Sequence, residues 1–208
     1  MVDRMEGLVL VLECSTARAS WAVYDYNYDN DRNSATLVSS AELEETDGRI
    51  STSLHQSLRN GAVNWKTVRQ ILVGVGPGSF AGIRTALATA QGIGRACSAV
   101  LLPVRSADAV GVSHPKVSYL GVFTEARRDS FFFTAYQSGQ RVRESVVAPK
   151  SELGTYLSKC SLAVSTDGLE GVPERVIPRA KDLYASWLAH GMEEGLKLEP
   201  VYLHPAVL

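Results

Sequence analysis

The run Val73-Gly74-Val75-Gly76-Pro77-Gly78-Ser79-Phe80-Ala81-Gly82-Ile83-Arg84 constrains this chain more than any other stretch. An apolar strand ends in a glycine-dense turn and the turn opens a helix, a junction of the α/β class. Such a turn can aim backbone N–H groups and the positive end of a helix at an anion. Gly76-Pro77-Gly78-Ser79-Phe80-Ala81 fits G-x-G-x-x-A, but no Asp or Glu between Asp47 and Asp108 is available to hold the ribose of a dinucleotide. No Gly-Lys-Ser/Thr follows, which excludes a Walker loop. A turn that packs closely, without holding phosphate, is the simpler expectation.

The helix launched by the turn, residues 82 to 97, separates into three arcs when its residues are set about 100° apart. Ile83, Ala86, Leu87, Ala90, Ile93, Gly94 and Cys97 form a broad apolar face suited to covering the protein's own sheet. Arg84, Gln91 and Arg95 form a narrow polar edge. The third arc carries Thr85, Ala88, Thr89, Gly92 and Ala96, all small, where a solvated helix normally carries long charged side chains. Two readings follow: a face for close approach of a second helix, or a helix packed on both sides within its own domain. Glycines inside a helix cost roughly 1 kcal/mol each against alanine, so either reading must compensate for Gly92 and Gly94.

A length of 208 residues accommodates one domain or two lobes of about 100 residues each. The net charge of −1 and the absence of a long Lys/Arg cluster argue against a free-standing nucleic-acid binder. Cys14, Cys97 and Cys160 are odd in number and widely spaced, so neither a disulfide framework nor a zinc site can be read from them. Leu8 to Leu12 is an apolar run followed by Glu13, which reads as a strand and not as a signal peptide or membrane span; the default expectation is a cytoplasmic protein with no membrane association.

Strands are expected at 8–13, 20–26 and 35–43, with a polar hairpin tip at 25–34. A helix capped at Thr46 or Asp47 runs to about Asn60 with Ile50, Leu54 and Leu58 on one face. A strand at 71–75, the three-faced helix and a strand at 100–104 complete the first half. Strands at 116–124, 130–136 and 141–147, a helix at 151–159, a strand at 162–165 and a helix at 180–190 make up the second. Meander, helix and strand occur twice, which suggests two α/β lobes, residues 1–104 and 105–208, with the last segment packing back on the first lobe.

Little chemistry can be assembled from spacing. Glu13, beside Cys14-Ser15-Thr16, could orient a metal or phosphate, or the hydroxyls could simply close the turn. His55, His114, His190 and His204 have no metal-ligand spacing, and Glu125, Arg127, Arg128 and Asp129 read as local ion pairs at a turn. No catalytic, cofactor-binding or metal-binding residue is assigned.

Leu10-Val11-Leu12-Glu13-Cys14-Ser15-Thr16, the block Gly76 to Arg84 with its Ala-rich helix, Glu125-Ala126-Arg127-Arg128 and Pro200-Val201-Tyr202-Leu203 together resemble the TsaB family, formerly YeaZ. The resemblance implies a two-lobed actin, sugar-kinase and chaperone ATPase-like fold with ribonuclease H-like lobes. It implies a non-catalytic subunit in formation of N6-threonylcarbamoyladenosine in tRNA, acting as a homodimer and pairing with the catalytic subunit TsaD. TsaE, an ATPase, joins the assembled complex, tRNA is engaged indirectly, and ATP and metal are expected on the partner subunits and not on this chain. The implied interface uses the first two helices: Ile50 and Leu54 from one, and Gly78, Gly82, Thr85, Ala88, Thr89, Gly92 and Ala96 at the other, with Arg84 and Arg95 as rim charges. Glu13 and Glu125 stand where the family usually has Asp, and Ala81 where it has Thr; the His-x-x-x-His metal motif of the catalytic subunits has no counterpart here. The alternative is a free-standing ATP-dependent enzyme of the same fold, which would need glycine-rich phosphate loops in both lobes.

Overall fold

Strand β1 (Gly7–Glu13) is apolar from Leu8 to Leu12, with no polar residue to turn toward water, so both of its faces need cover. The computed structural model, which describes residues 7–26, 35–43, 49–59 and 63–201, shows how that cover is supplied. β1 pairs antiparallel with β2 (Ser20–Tyr26), and β2 with β3 (Thr36–Glu42). On its other side β1 runs parallel to β4 (Val68–Gly74), and β4 to β5 (Val100–Val104). Leu10, Leu12, Ile71 and Val73 face a cluster with residues of α1 (Arg49–Arg59) and α2 (Phe80–Cys97). The alternate residues Val9, Val11 and Leu72 face the opposite way, onto Leu183 and Tyr184 of α5 (Ala180–His190).

The second sheet repeats the first. β6 (Leu120–Ala126), β7 (Ser130–Gln137) and β8 (Gln140–Pro149) form the antiparallel meander, and β9 (Leu162–Ser165) and β10 (Glu174–Arg175) continue parallel beyond β6. The two orders, β3-β2-β1-β4-β5 and β8-β7-β6-β9-β10, are the same order with the same strand senses. The doubled lobe agrees with the two-lobed α/β fold that the resemblance implies. Phe123, Phe131 and Phe133 face α4 (Leu153–Leu157), while Leu120, Val122 and Tyr136 face α3 (Ser106–Val112). Helices α3 and α5 pack on each other, so the molecule is layered as helices, sheet, helix pair, sheet and helix.

The expected hairpin tip at 27–34, the caps Thr46 and Asp47, the side chain of Leu58, and Tyr202, Leu203 and His204 lie outside the described residues. Helix α3 is absent from the sequence expectations, and the structure shows why. Its seven residues include Gly111, Val110 and Val112, all weak helix formers, and no side chain caps its start. Packing imposes it: a Cβ on Gly111 would lie 2.8 Å from Cγ of Tyr136 and closer still to the ring edge.

Gly111→Ala therefore sets two effects against each other. Alanine gains about 1 kcal/mol in helix propensity, whereas forcing a methyl into the buried Tyr136 ring costs about 1–3 kcal/mol. Urea unfolding is expected to show net destabilisation, with a lower midpoint and an unchanged slope.

Candidate functional site

The glycine turn seats α2 on the β1–β2 hairpin. The Ser79 N–H donates to the Ser15 carbonyl at 2.6 Å, and the Ser79 hydroxyl oxygen accepts the Gly82 N–H at 3.3 Å, capping the helix. A Cβ on Gly78 would collide with the Ser15 carbonyl oxygen, and one on Gly82 with that of Cys14. Both glycines serve this internal contact. Gly82 is buried against the chain's own backbone, which corrects its sequence assignment as a partner contact; Gly78 is half-buried there.

Ile50 and Leu54 need the same correction. Each is 2 % exposed and belongs to the core beneath the first sheet, because the apolar stripe of α1 points at the sheet that the helix covers. The outer side of α1 carries Ser51, Thr52, His55 and Gln56 instead. On α2 the three arcs fall where the helical wheel puts them. Ile83, Ala86, Leu87, Ala90 and Gly94 are buried; Arg84, Ala88, Gln91, Gly92, Arg95 and Ala96 are exposed; Thr85 and Thr89 are half-buried. No atom lies within 4 Å of a Cβ built on Gly92. Of the two readings of the small-residue arc, the internally packed helix does not hold among the described residues.

Beside the start of α2 lies a cleft of about 630 Å³ between the lobes. The hairpin contributes Ser15, Thr16 and Ala17; α2 contributes Phe80, Ala81 and Ile83; the second lobe contributes Ala126, Arg127, Phe132 and Asp167; Pro200 and Val201 close one side. Phe80, which the sequence analysis did not single out, is 38 % exposed. Its ring lies 5.2 Å from the Arg84 guanidinium and 6.0 Å from that of Arg127, so it joins the helix face to the cleft mouth. The available signal was an aromatic at the first helical position with an arginine four residues on.

The alternative of a free-standing ATP-dependent enzyme calls for a nucleotide between the lobes, and the residues of the hairpin do not fit one. The hairpin from Cys14 to Ala19 has no glycine to let phosphate reach its backbone. The Ser15 N–H donates to Glu13 Oε1 at 2.6 Å and the Arg18 N–H to the Thr16 hydroxyl at 3.2 Å, while Ser79 N–H is held by Ser15. The acidic groups of the far wall are also engaged. Glu125 accepts from Lys150 Nζ at 2.8 Å, and Asp167 accepts the Glu125 N–H at 2.7 Å and the Ser165 hydroxyl at 2.9 Å. Among the described residues no three His, Cys, Asp or Glu side chains converge on a metal-sized site.

Glu13 sits behind this cleft at 1 % exposure, and its Oε2 lacks a hydrogen bond of good geometry. Burial pushes its carboxyl above the usual range, with the Ser15 hydroxyl and backbone and the Ser106 hydroxyl acting in the opposite direction. A carboxyl held this way is a structural element of the hairpin, tied to it through the Ser15 N–H.

A family model described as TsaD, tRNA N6-adenosine threonylcarbamoyltransferase, matches residues 46–161, more than half of the chain. The chain belongs to that family. Its fold is that of two solved structures from Pseudomonas aeruginosa. One, described as an uncharacterized protein with similarity to peptidase YEAZ, superposes with a TM-score of 0.70 at 22 % identity, covering 95 % of this chain and 100 % of the other. The other, YeaZ, gives a TM-score of 0.68 at 21 % identity with the same coverage. The resemblance to the TsaB family, carried by the sequence motifs, stands with these findings. In sequence, the uncharacterized protein ML0378 of Mycobacterium leprae is 26 % identical over 157 residues, 73 % of this chain and 42 % of that protein. Mb3455c of Mycobacterium bovis, also described as uncharacterized, is 30 % identical over 93 residues, 45 % of this chain and 43 % of its own length. These matches span less than half the length of either relative. No helix among the described residues is long and apolar enough to cross a membrane.

The buried carboxyl gives a signed expectation. With its folded pKa above the unfolded value, the native state binds the extra proton, so wild-type stability declines as pH rises above about 4.5, the ordinary value. Glu13→Gln keeps an acceptor for the Ser15 N–H and does not ionise. The melting temperatures of the two proteins are expected to converge near pH 4, with the variant gaining on wild type toward pH 8. A constant gap across that range would contradict the assignment.

Proposed function

We propose that this chain is a non-catalytic scaffold and activating subunit in the formation of N6-threonylcarbamoyladenosine in tRNA, acting through the outer face of α2. That face forms a homodimer and pairs with the catalytic subunit TsaD. A TsaE-type ATPase joins the assembly, tRNA is reached through the partner, and the setting is the cytoplasm. The observation that carries this reading is the exposed row Ala88, Gly92 and Ala96, in which Gly92 has no neighbour within 4 Å of its Cβ position. A solvated helix gains from a larger residue there, by roughly 1 kcal/mol for alanine. A partner helix approaching to an axis separation of about 8 Å is what a small residue accommodates.

The surroundings support the same reading. Arg84 and Arg95 lie along one edge of the row, about 16 Å apart along the axis at the helical rise of 1.5 Å per residue. They can pair with acidic groups at the rim of an interface whose centre is close-packed and uncharged. The hairpin side of the cleft has no glycine and its Ser15 and Arg18 amides are engaged within the hairpin, which favours a supporting subunit over the free-standing ATP-dependent enzyme. Family membership supplies the reaction in which such a subunit would take part.

Ala88→Glu and Gly92→Leu are expected to abolish self-association in analytical ultracentrifugation and co-purification with a co-expressed TsaD, with far-UV circular dichroism unchanged. Stimulation of tRNA modification by that TsaD is lost with them. Gly92→Ala should separate the two demands, raising monomer stability by up to about 1 kcal/mol while weakening association. Wild-type stoichiometry with TsaD in the Glu and Leu variants would refute the interface. A wild-type chain that leaves modification by its cognate TsaD unstimulated would refute the function.

A further inference from the structure

The segment after α5 does not end on the face of the sheet where that helix lies. Leu183 and Tyr184 of α5 are buried on one face of the first sheet, whereas Leu196, Leu198 and Val201 pack on the cluster of the opposite face. In between, Leu196 lies by Pro103 and Val104 of the edge strand β5, so residues 191–201 pass around that edge. By residue 201 the segment has reached the interlobe cleft, where the Val201 N–H donates to the Val75 carbonyl at 2.9 Å and Pro200 and Val201 form one wall.

One side chain pins this path to the junction after β5 and to the second lobe. Glu193 takes a forked pair of hydrogen bonds from Arg105, with Nε at 2.8 Å from Oε2 and Nη2 at 2.6 Å from Oε1. Arg141 of β8 donates to the same carboxylate from Nη2 at 2.6 Å. Arg141 also reaches Asp108 of α3 at 3.3 Å, and Tyr136 of β7 donates to Asp108 at 2.7 Å. Glu144 adds contacts of 3.4 Å to Arg105 and 3.2 Å to Arg141. A single carboxylate thus joins the connection that follows β5, the second sheet and the final segment. The two guanidiniums hold the Glu193 carboxyl down at about 2, so the link stays charged through the physiological range.

We propose that residues 191–201 are a strap that closes the interlobe cleft and that Glu193 is its latch. With the latch made, the strap holds the two lobes at one separation and keeps Pro200 and Val201 against the cleft mouth. With the latch broken, the distal part of the strap peels from the first sheet and opens the apolar wall of the cleft, while the two sheets remain folded.

Native-state hydrogen exchange on the full chain tests this directly. Glu193→Gln, which keeps the shape but removes the charge, is expected to raise exchange of the Val201 amide at least about tenfold, the scale of losing a charge-assisted hydrogen bond. The Leu72 amide of β4 should keep its protection, and fluorescence of the apolar dye anilinonaphthalene sulfonate should rise about twofold or more as the cleft opens. Glu194→Gln, at the exposed neighbouring position, should change neither signal. Arg141→Gln, which leaves the Arg105 fork in place, is the milder cut and should raise Val201 exchange by a smaller factor. Release of Val201 ahead of Leu72 in either variant supports the latch. Unchanged Val201 exchange in both, or exchange that rises only together with Leu72 in both, overturns it.

Discussion

Helix α2 enters the molecule closer to the β1–β2 hairpin than a side chain at position 82 would permit. Gly82 lies against the Cys14 carbonyl, Gly78 against that of Ser15, and the Ser79 N–H closes the contact. With the helix start fixed in this way, 3.6-residue periodicity determines which residues face the sheet and which face out. Ile83, Ala86, Leu87 and Ala90 are committed to the core, and Ala88, Gly92 and Ala96 to the surface. Phe80 falls at the mouth of the cleft for the same reason. The contact also occupies the Ser79 N–H at the edge of the cleft, so one local packing decision shapes both the surface and the cleft.

The layered core explains how two similar sheets become one body. The central strands of each sheet are buried on both faces, and the faces that look toward each other are covered by α5 and α3, which pack together. Polar links cross the same region: the Ala180 N–H donates to the Ser20 hydroxyl at 2.9 Å, and Asp108, Arg105, Arg141 and Glu193 form a mostly buried charge network. Removing one member of such a network strands the others away from water, which gives it more structural weight than an exposed ion pair.

The elements that could be read from the sequence were those whose apolar pattern is complete within a short window. β2, β5, β9 and α5 appear at the expected bounds, and α2 shows its three arcs. α3 was not legible because its helicity comes from Tyr136, distant in sequence, and not from its own residues. The two-residue β10 carries too little pattern to register. For the candidate site, an apolar stripe such as Ile50 and Leu54 is equally suited to a sheet and to a partner, and only the tertiary structure assigns it to the sheet. A glycine presents the same ambiguity. Gly82 and Gly92 are indistinguishable by type, yet one is packed against a carbonyl and the other faces open space. The charge network joins residues up to 88 positions apart, a range at which local periodicity carries no information.

The return of α5 to the first sheet has a consequence for the order in which the chain can mature. One face of β1 is covered by Leu183 and Tyr184, made some 170 residues later. Until those residues emerge, Val9, Val11 and Leu72 lack the cover of α5, however well the first five strands pair. The entropy of closing so long a loop grows only slowly with length, so the finished contact is affordable. Its late formation nevertheless makes the nascent first lobe an incomplete sheet with an open apolar face for most of synthesis, a condition that favours slow, non-local folding and early engagement by chaperones.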